Sequence, residues 1–153
     1  WKPVHILHSV SQAVGSVMKP AGLENGKGVI SANYGKDPDD PSWKDDAAVK
    51  AWSDFMDKYV PDGDKHNTLY VYGYNAAQTL VQVLKQCGDN LTRENVMKQA
   101  ASLNFDLPML LPGIKITTGP TDYFPIKQMQ MQSFDGEKWV RFGSVIKGEV
   151  TLD

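Results

Sequence analysis

The chain has 153 residues, 41% hydrophobic and 22% charged, with 16 Lys and Arg against 18 Asp and Glu for a formal charge of −2. That length fits one ordinary domain with a real core. The absence of a Lys/Arg cluster gives nucleic acid no footing, and no apolar run approaches the roughly 20 residues that span a bilayer.

The chain opens at Trp1-Lys2-Pro3 with no initiator Met, basic stretch or apolar leader, which reads as a piece of a longer protein and leaves the compartment open. Val4 to Leu7 predicts a short buried strand, followed by the polar loop His8-Ser9-Val10-Ser11. Gln12 to Met18 predicts a short helix stopped by Pro20 and Gly22. Gly28 to Tyr34 predicts a second strand, and Gly35 to Pro41 a loop rich in Asp and Pro. Ser42, with Asp45 three residues on, predicts the N-cap of a helix whose apolar stripe is Ala48, Val49, Trp52, Phe55, Met56 and Tyr59. Leu69 to Tyr72 reads as extended. From Tyr74 the pattern turns helical, with Ala77, Leu80, Val81 and Leu84 on one face and Gly88 as the stop. Thr92 caps a further helix carrying Val96, Met97, Ala100 and Leu103. Beyond Pro108, Pro112 and Gly113, Ile114 to Thr117 alternates as a strand. Lys127 to Phe134 and Lys138 to Val145 form a hairpin about Asp135-Gly136.

This order predicts an α/β fold with a mainly parallel sheet and an antiparallel tail. Such sheets bind ligands beyond the carboxyl ends of their strands. The loop with His8, Ser9 and Ser11 and the turn with Tyr72 and Tyr74 therefore become candidate sites.

The familiar chemical motifs are missing. No Walker pattern, GxGxxG loop or GxSxG elbow occurs, so neither a cofactor cradle nor a hydrolase nucleophile is predicted. His5, His8 and His66 lack metal-type spacing. Asp37, Asp39, Asp40, Asp45 and Asp46 are dense but lack the EF-hand spacing, and read as a solvated acidic loop with helix-start carboxylates. Asn90-Leu91-Thr92 matches a glycosylation sequon but reads as helix capping. The single cysteine, Cys87, excludes an internal disulfide and reads as an inert, half-buried thiol at a helix end. Trp52, Phe55 and Tyr59 read as core, and Trp139 as hairpin packing. Tyr70, Tyr72 and Tyr74 suit either a cleft wall or simple packing.

Several stretches taken together resemble the Leu/Ile/Val-binding-like family of type I periplasmic binding proteins. They are Pro20 to Ser31, Lys36-Asp37-Pro38, the helix with Val49, Trp52 and Phe55, Tyr72 to Ala77, Leu91 to Val96 and Phe134-Asp135-Gly136. The resemblance implies two α/β lobes that close like a hinge over a small-molecule ligand, and a closed form that docks on the membrane permease of an ABC importer. It implies a periplasmic or extracellular protein that is no enzyme. It assigns residues 1–71 to the second lobe, 72–121 to helices and a strand of the first lobe, and 122–153 to a returning hairpin tail. It makes His8, Ser9, Ser11, Tyr72 and Tyr74 the ligand-binding candidates. Amino-acid binders of this family place an acid in the loop after the first strand. Here that loop has no carboxylate, which favours an uncharged or carboxylate-bearing solute such as an aromatic acid. A sensor domain of the same fold would need an adjoining signalling module. An enzyme on a flavodoxin-like scaffold would need a nucleophile–base pair or cofactor loop. By the same resemblance the chain covers about two-fifths of such a protein, so its isolated strand edges and the stripe through Ala77, Leu80 and Leu84 are expected to self-associate or to bind the remainder.

Overall fold

A computed structural model describes residues 3–148. Helix starts follow the strongest local acceptor. A π-helical turn, Val14–Met18, runs directly into the short helix α1 (Lys19–Ala21) and ends at Gly22. The run ends one residue after Pro20, at Gly22, whose φ of 86° takes the chain out of the helix. The helix α2 (Ala47–Tyr59) is capped by Asp46, whose Oδ1 accepts from Ala48 N at 2.9 Å and Val49 N at 3.1 Å. The expected cap, Ser42, instead lies in a 3-10 turn, Pro41–Trp43, where Asp40 accepts from its backbone N–H at 2.8 Å. Val49, Trp52 and Met56 are buried, whereas Phe55 and Tyr59, expected in the core, lie at the stripe's exposed edge.

Leu69 to Tyr72 is helical, not extended: α3 runs unbroken over Leu69–Cys87. Alternation over four residues does not separate a strand from a helix start, and here Asn67 Oδ1 accepts from Leu69 N at 3.0 Å and begins the helix. Its buried residues are Val71, Asn75, Val83 and Cys87. The apolar stripe of this helix lies uncovered, with Leu80 55% and Val81 48% exposed. Gly88, at φ 56°, ends the helix as expected. Thr92 caps α4 (Arg93–Ala100) by accepting from Asn95 N.

The main sheet joins β1 (Ile30–Asn33), β4 (Gln128–Phe134) and β5 (Trp139–Lys147) in the order β1-β4-β5, every ladder antiparallel. A second sheet pairs β2 (Asn104–Phe105) with β3 (Ile116–Thr117). The strand expected at Val4 to Leu7 is reduced to one parallel bridge, Ile6 to Ile30, with Leu7 N donating to Ile30 O at 2.8 Å and Ile30 N to His5 O at 2.9 Å. Val4 and Ile6 are exposed, so parallel pairing among the described residues is confined to this edge. The β4–β5 turn uses four residues rather than two, because Asp135 Oδ1 accepts from both Glu137 N and Lys138 N. In β4 the alternation does not set burial by polarity: Gln132 is buried and Met129 and Met131 are only half-buried. The ladder is irregular between Met129 and Met131, where Gln130 alone faces residues 143–145, Gly143 takes φ 67° and Gln130 Nε2 donates to Gly143 O at 2.9 Å.

Apolar packing falls into distinct cores. Val14, Met18 and Val29 pack with Phe134 and Trp139, whose rings meet edge to face at 5.1 Å. Val49, Trp52 and Met56 pack with Val71 and Met109. Val83 and Cys87 pack with residues 103–116, and Val145 leans on this last core from β5. The chain leaves the first core after β1 and returns to it at β4. Removing the Asp46 cap in Asp46→Ala should cost about 1–2 kcal/mol, read as a lower urea midpoint with an unchanged slope.

Candidate functional site

Where the chain leaves β1 it must turn, and Asn33 makes the turn by accepting from Tyr34 N at 2.8 Å and Gly35 N at 3.2 Å. The next residues are sewn to the 109–111 loop: Lys36 N donates to Met109 O at 2.9 Å and Leu111 N to Tyr34 O at 2.8 Å. This crossing borders a narrow cleft. Ser9, Gln12 and Ala13 line it from the loop after residues 5–7, and Thr68, Val71 and Tyr72 line it from α3. Gln12 is 3% exposed and fully engaged: its Nε2 donates to Ser9 O at 3.0 Å, its Oε1 accepts from Gln132, and its backbone O accepts from the Trp139 indole at 3.0 Å.

Of the residues singled out from the sequence, Ser9 and Tyr72 face this one cleft. His8 and Ser11 sit on the exposed side of the same turn, which is closed by Ser11 N donating to His8 O at 2.9 Å and Val10 N to His8 Nδ1 at 3.3 Å. Tyr74 lines a different groove of about 490 Å³ between α2 and α3, with Phe55 at 5.0 Å from its ring. Tyr72 lies within an unbroken helix, so the chain does not turn there. Its ring stacks on Tyr34 at 6.1 Å. Burial, followed by the neighbouring Tyr34, pushes the Tyr72 hydroxyl up to about 12, and burial raises Tyr34 as well. Both phenols are therefore neutral at physiological pH.

The acidic loop is not solvated as expected; Asp37 and Asp40 are buried. Asp37 Oδ2 accepts from Val14 N at 2.6 Å and Oδ1 from Asp39 N at 3.0 Å. Asp40 accepts from Ser42 N and, at 3.1 Å, from Trp139 N. Asp39 holds His66 Nδ1 at 2.9 Å and Lys19 Nζ at 3.9 Å. Its carboxylate occupies the space a Cβ on Gly15 would need, so only glycine allows the 14–18 turn this approach. Burial pushes the Asp37 carboxyl up to about 6; the Val14 and Asp39 N–H groups oppose the rise, and the charges of Asp39 and Asp40 add to it. Lys36 is bound to Asp46 at 2.8 Å. Among the described residues no cluster of three or more His, Cys, Asp or Glu could hold a metal ion, and no helix is long and apolar enough to cross a membrane.

Gln12, Asn33, Asp37 and Thr68 also line this cleft and are not among the residues singled out from the sequence. The carboxyl-end rule that selected His8 to Ser11 also covers the end of β1, and points there to Asn33 through Asp37. Gln12 and Thr68 carry no local signal.

The profile of the periplasmic binding protein family matches residues 4–138. The chain belongs to this family, one of binding proteins and not of enzymes. Among curated protein sequences none matches. Of solved structures, it is similar to a branched chain amino acid ABC transporter protein from Thermus thermophilus with bound valine, at TM-score 0.76 and 14% identity over 97% of this chain and 40% of that one. It is also similar to a possible leucine/isoleucine/valine-binding protein from Rhodopirellula baltica SH 1, at TM-score 0.62 and 16% identity over 94% and 36%. A third likeness is to an ABC transporter permease, so titled, from the Pseudomonas fluorescens group, at TM-score 0.57 and 17% identity over 94% and 37%. The chain thus spans about two-fifths of the length of these structures and shares their fold.

Because Asp37 is raised on folding, the native state binds its proton more tightly than the unfolded chain. The stability it contributes is complete below the ordinary carboxylate range and is lost as pH rises through about 6. The melting temperature should therefore fall between roughly pH 4 and pH 6, and Asp37→Asn should remove that part of the fall.

Proposed function

We propose that the protein is the solute-binding component of an ABC importer, acting in the periplasm or outside the cell and delivering a small organic solute to the membrane permease. The observation that carries this reading is the family match over residues 4–138, together with the fold shared with solved ABC-transporter binding proteins; the crevice lined by Ser9 and Tyr72 is only about 10 Å³ and must widen before it admits a solute. The core memberships favour a first crossing between lobes at residues 34–37 and a return at 118–127, in place of a boundary at Tyr72. On this division residues 3–33 and the tail hairpin form one lobe, and α2, α3, α4 and β2–β3 belong to the other.

The solute is an uncharged or carboxylate-bearing one, an aromatic acid fitting best. The 8–11 turn carries no carboxylate to meet an ammonium group. Tyr72, stacked on Tyr34, offers the cleft an aromatic side chain with a neutral hydroxyl. His8 and Ser11 reach such a solute only if the turn reorders, so Ser9 and Tyr72 are the contacts of first rank.

Tyr72→Ala should weaken solute binding on the order of tenfold while lowering the melting temperature by only a few degrees. The solute is identified by mass spectrometry of what co-purifies, and binding is followed by calorimetry. A large stability loss with unchanged affinity would mark Tyr72 as packing alone.

The exposed Val4 and Ile6, and the outward Leu80, Val81 and Leu84, form apolar surface that in this reading is covered by a second copy or by the rest of a longer chain. Light scattering on the 153 residues should show association. A stable monomer that hardly binds ANS would overturn this expectation.

A further inference from the structure

We propose that Asp39 and His66 form a strap that holds the crevice of Ser9 and Tyr72 shut, and that release of this strap is what opens the crevice. The inference rests on the solute-binding reading and on the division into lobes given above. At about 10 Å³ the crevice has room for a single water, so its walls must part before a solute enters.

The three walls converge on one contact. Ala13 lines the crevice from the 9–14 segment, Asp37 from the crossing, and Thr68 from the start of α3. Two residues away from each stand Gly15, Asp39 and His66, and these three meet. His66 Nδ1 lies 2.9 Å from both Asp39 oxygens. The Asp39 carboxylate rests against Gly15, and the His66 Cβ comes within 3.2 Å of where a Cβ on Gly15 would stand. Lys19 of α1 adds its Nζ at 3.9 Å from Asp39.

The two ends of the strap are anchored in different lobes. Asp39 N donates to Asp37 Oδ1 at 3.0 Å, and Asp37 Oδ2 accepts from Val14 N at 2.6 Å, so Asp39 is fixed to the 14–18 turn. His66 is fixed beside α2. Its backbone N–H donates to Asp64 Oδ1 at 2.9 Å, and Lys65 next to it reaches Asp57 at 2.6 Å and Ser53 Oγ at 2.9 Å. Parting of the lobes leaves these local bonds intact and breaks the contact of His66 with Asp39 and Gly15. The His66 side chain is 66% exposed, and an exposed pair holds with only a modest free energy, which suits a catch that opens and recloses. Gly15 is not among the glycines at positive φ. Its backbone therefore does not call for glycine; the approach of Asp39 does.

The test places a thiol on the crevice wall of the full chain with Ala13→Cys, at a position 5% exposed. Cys87, buried in another core, serves as the internal reporter of unfolding. Labelling of both thiols by iodoacetamide is followed by peptide mass spectrometry in the absence of solute. Adding His66→Ala should raise the labelling rate of the introduced thiol about threefold. Adding Gly15→Ala, whose new methyl group displaces the Asp39 carboxylate, should raise it on the order of tenfold. The Cys87 rate should stay the same in both. An introduced thiol labelled at one rate with and without these changes, or one that speeds up only together with Cys87, overturns the strap. Such a result leaves the solute-binding reading standing, because the labelling involves no solute. Should Gly15→Ala not fold, His66→Ala, a change at an exposed side chain, decides alone.

Discussion

Trp139 donates two buried hydrogen bonds across most of the chain, from its indole to Gln12 O and from its backbone N–H to Asp40. A buried donor left unpaired costs about 1–3 kcal/mol, so these two contacts must be made together. Making them brings the tail hairpin, the turn after residues 5–7 and the crossing loop to one point. Gln132 completes the knot by donating to Gln12. The cleft wall at Ser9 follows from it, because Gln12 Nε2 also holds Ser9 O. The ring of Trp139 meanwhile closes the first core against Phe134. One residue thus fixes both the apolar packing beneath the site and the polar scaffold above it.

The acidic loop takes its meaning from the same place. Asp37 and Asp40 each accept two backbone N–H groups, one local and one from a distant element. Bonds of this kind satisfy the donors at the start of the 14–18 turn and at the start of β5, which no secondary structure would satisfy. The carboxylates are structural pins.

The sequence was most legible where a local rule acts alone. Gly88, Thr92 and the Asp135-Gly136 turn all mark their elements through caps and dihedral preferences. The order of elements, together with the Pro20 to Ser31 and Tyr72 to Ala77 stretches, led to the family that the comparison shows. Errors arose where tertiary contacts decide. Tyr70 and Tyr72 alternate like a strand but belong to a helix begun by Asn67. Leu80 and Val81 are the more hydrophobic face of α3, yet Val71, Asn75, Val83 and Cys87 are the face that finds neighbours within this chain. Gln132 looks solvent-facing until Gln12, 120 residues away, is brought to it. Ser9 and Tyr72, both chosen as residues at strand ends, line one crevice, although Tyr72 lies within a helix; Gln12 and Thr68 line it too, and nothing near them in the chain marks them.

The irregularity between Met129 and Met131 has a mechanical side. Strand β5 starts in one core with Trp139 and reaches another with Val145, the last residue of the break in its pairing. Three residues of β5 oppose one of β4, an excess of two. Two is one full period of a strand, so the inward and outward sides keep their identity on both sides of the break. Gly143, with its left-handed backbone and no side chain, opens the break, and the strand passes from one core to the other without exchanging its faces.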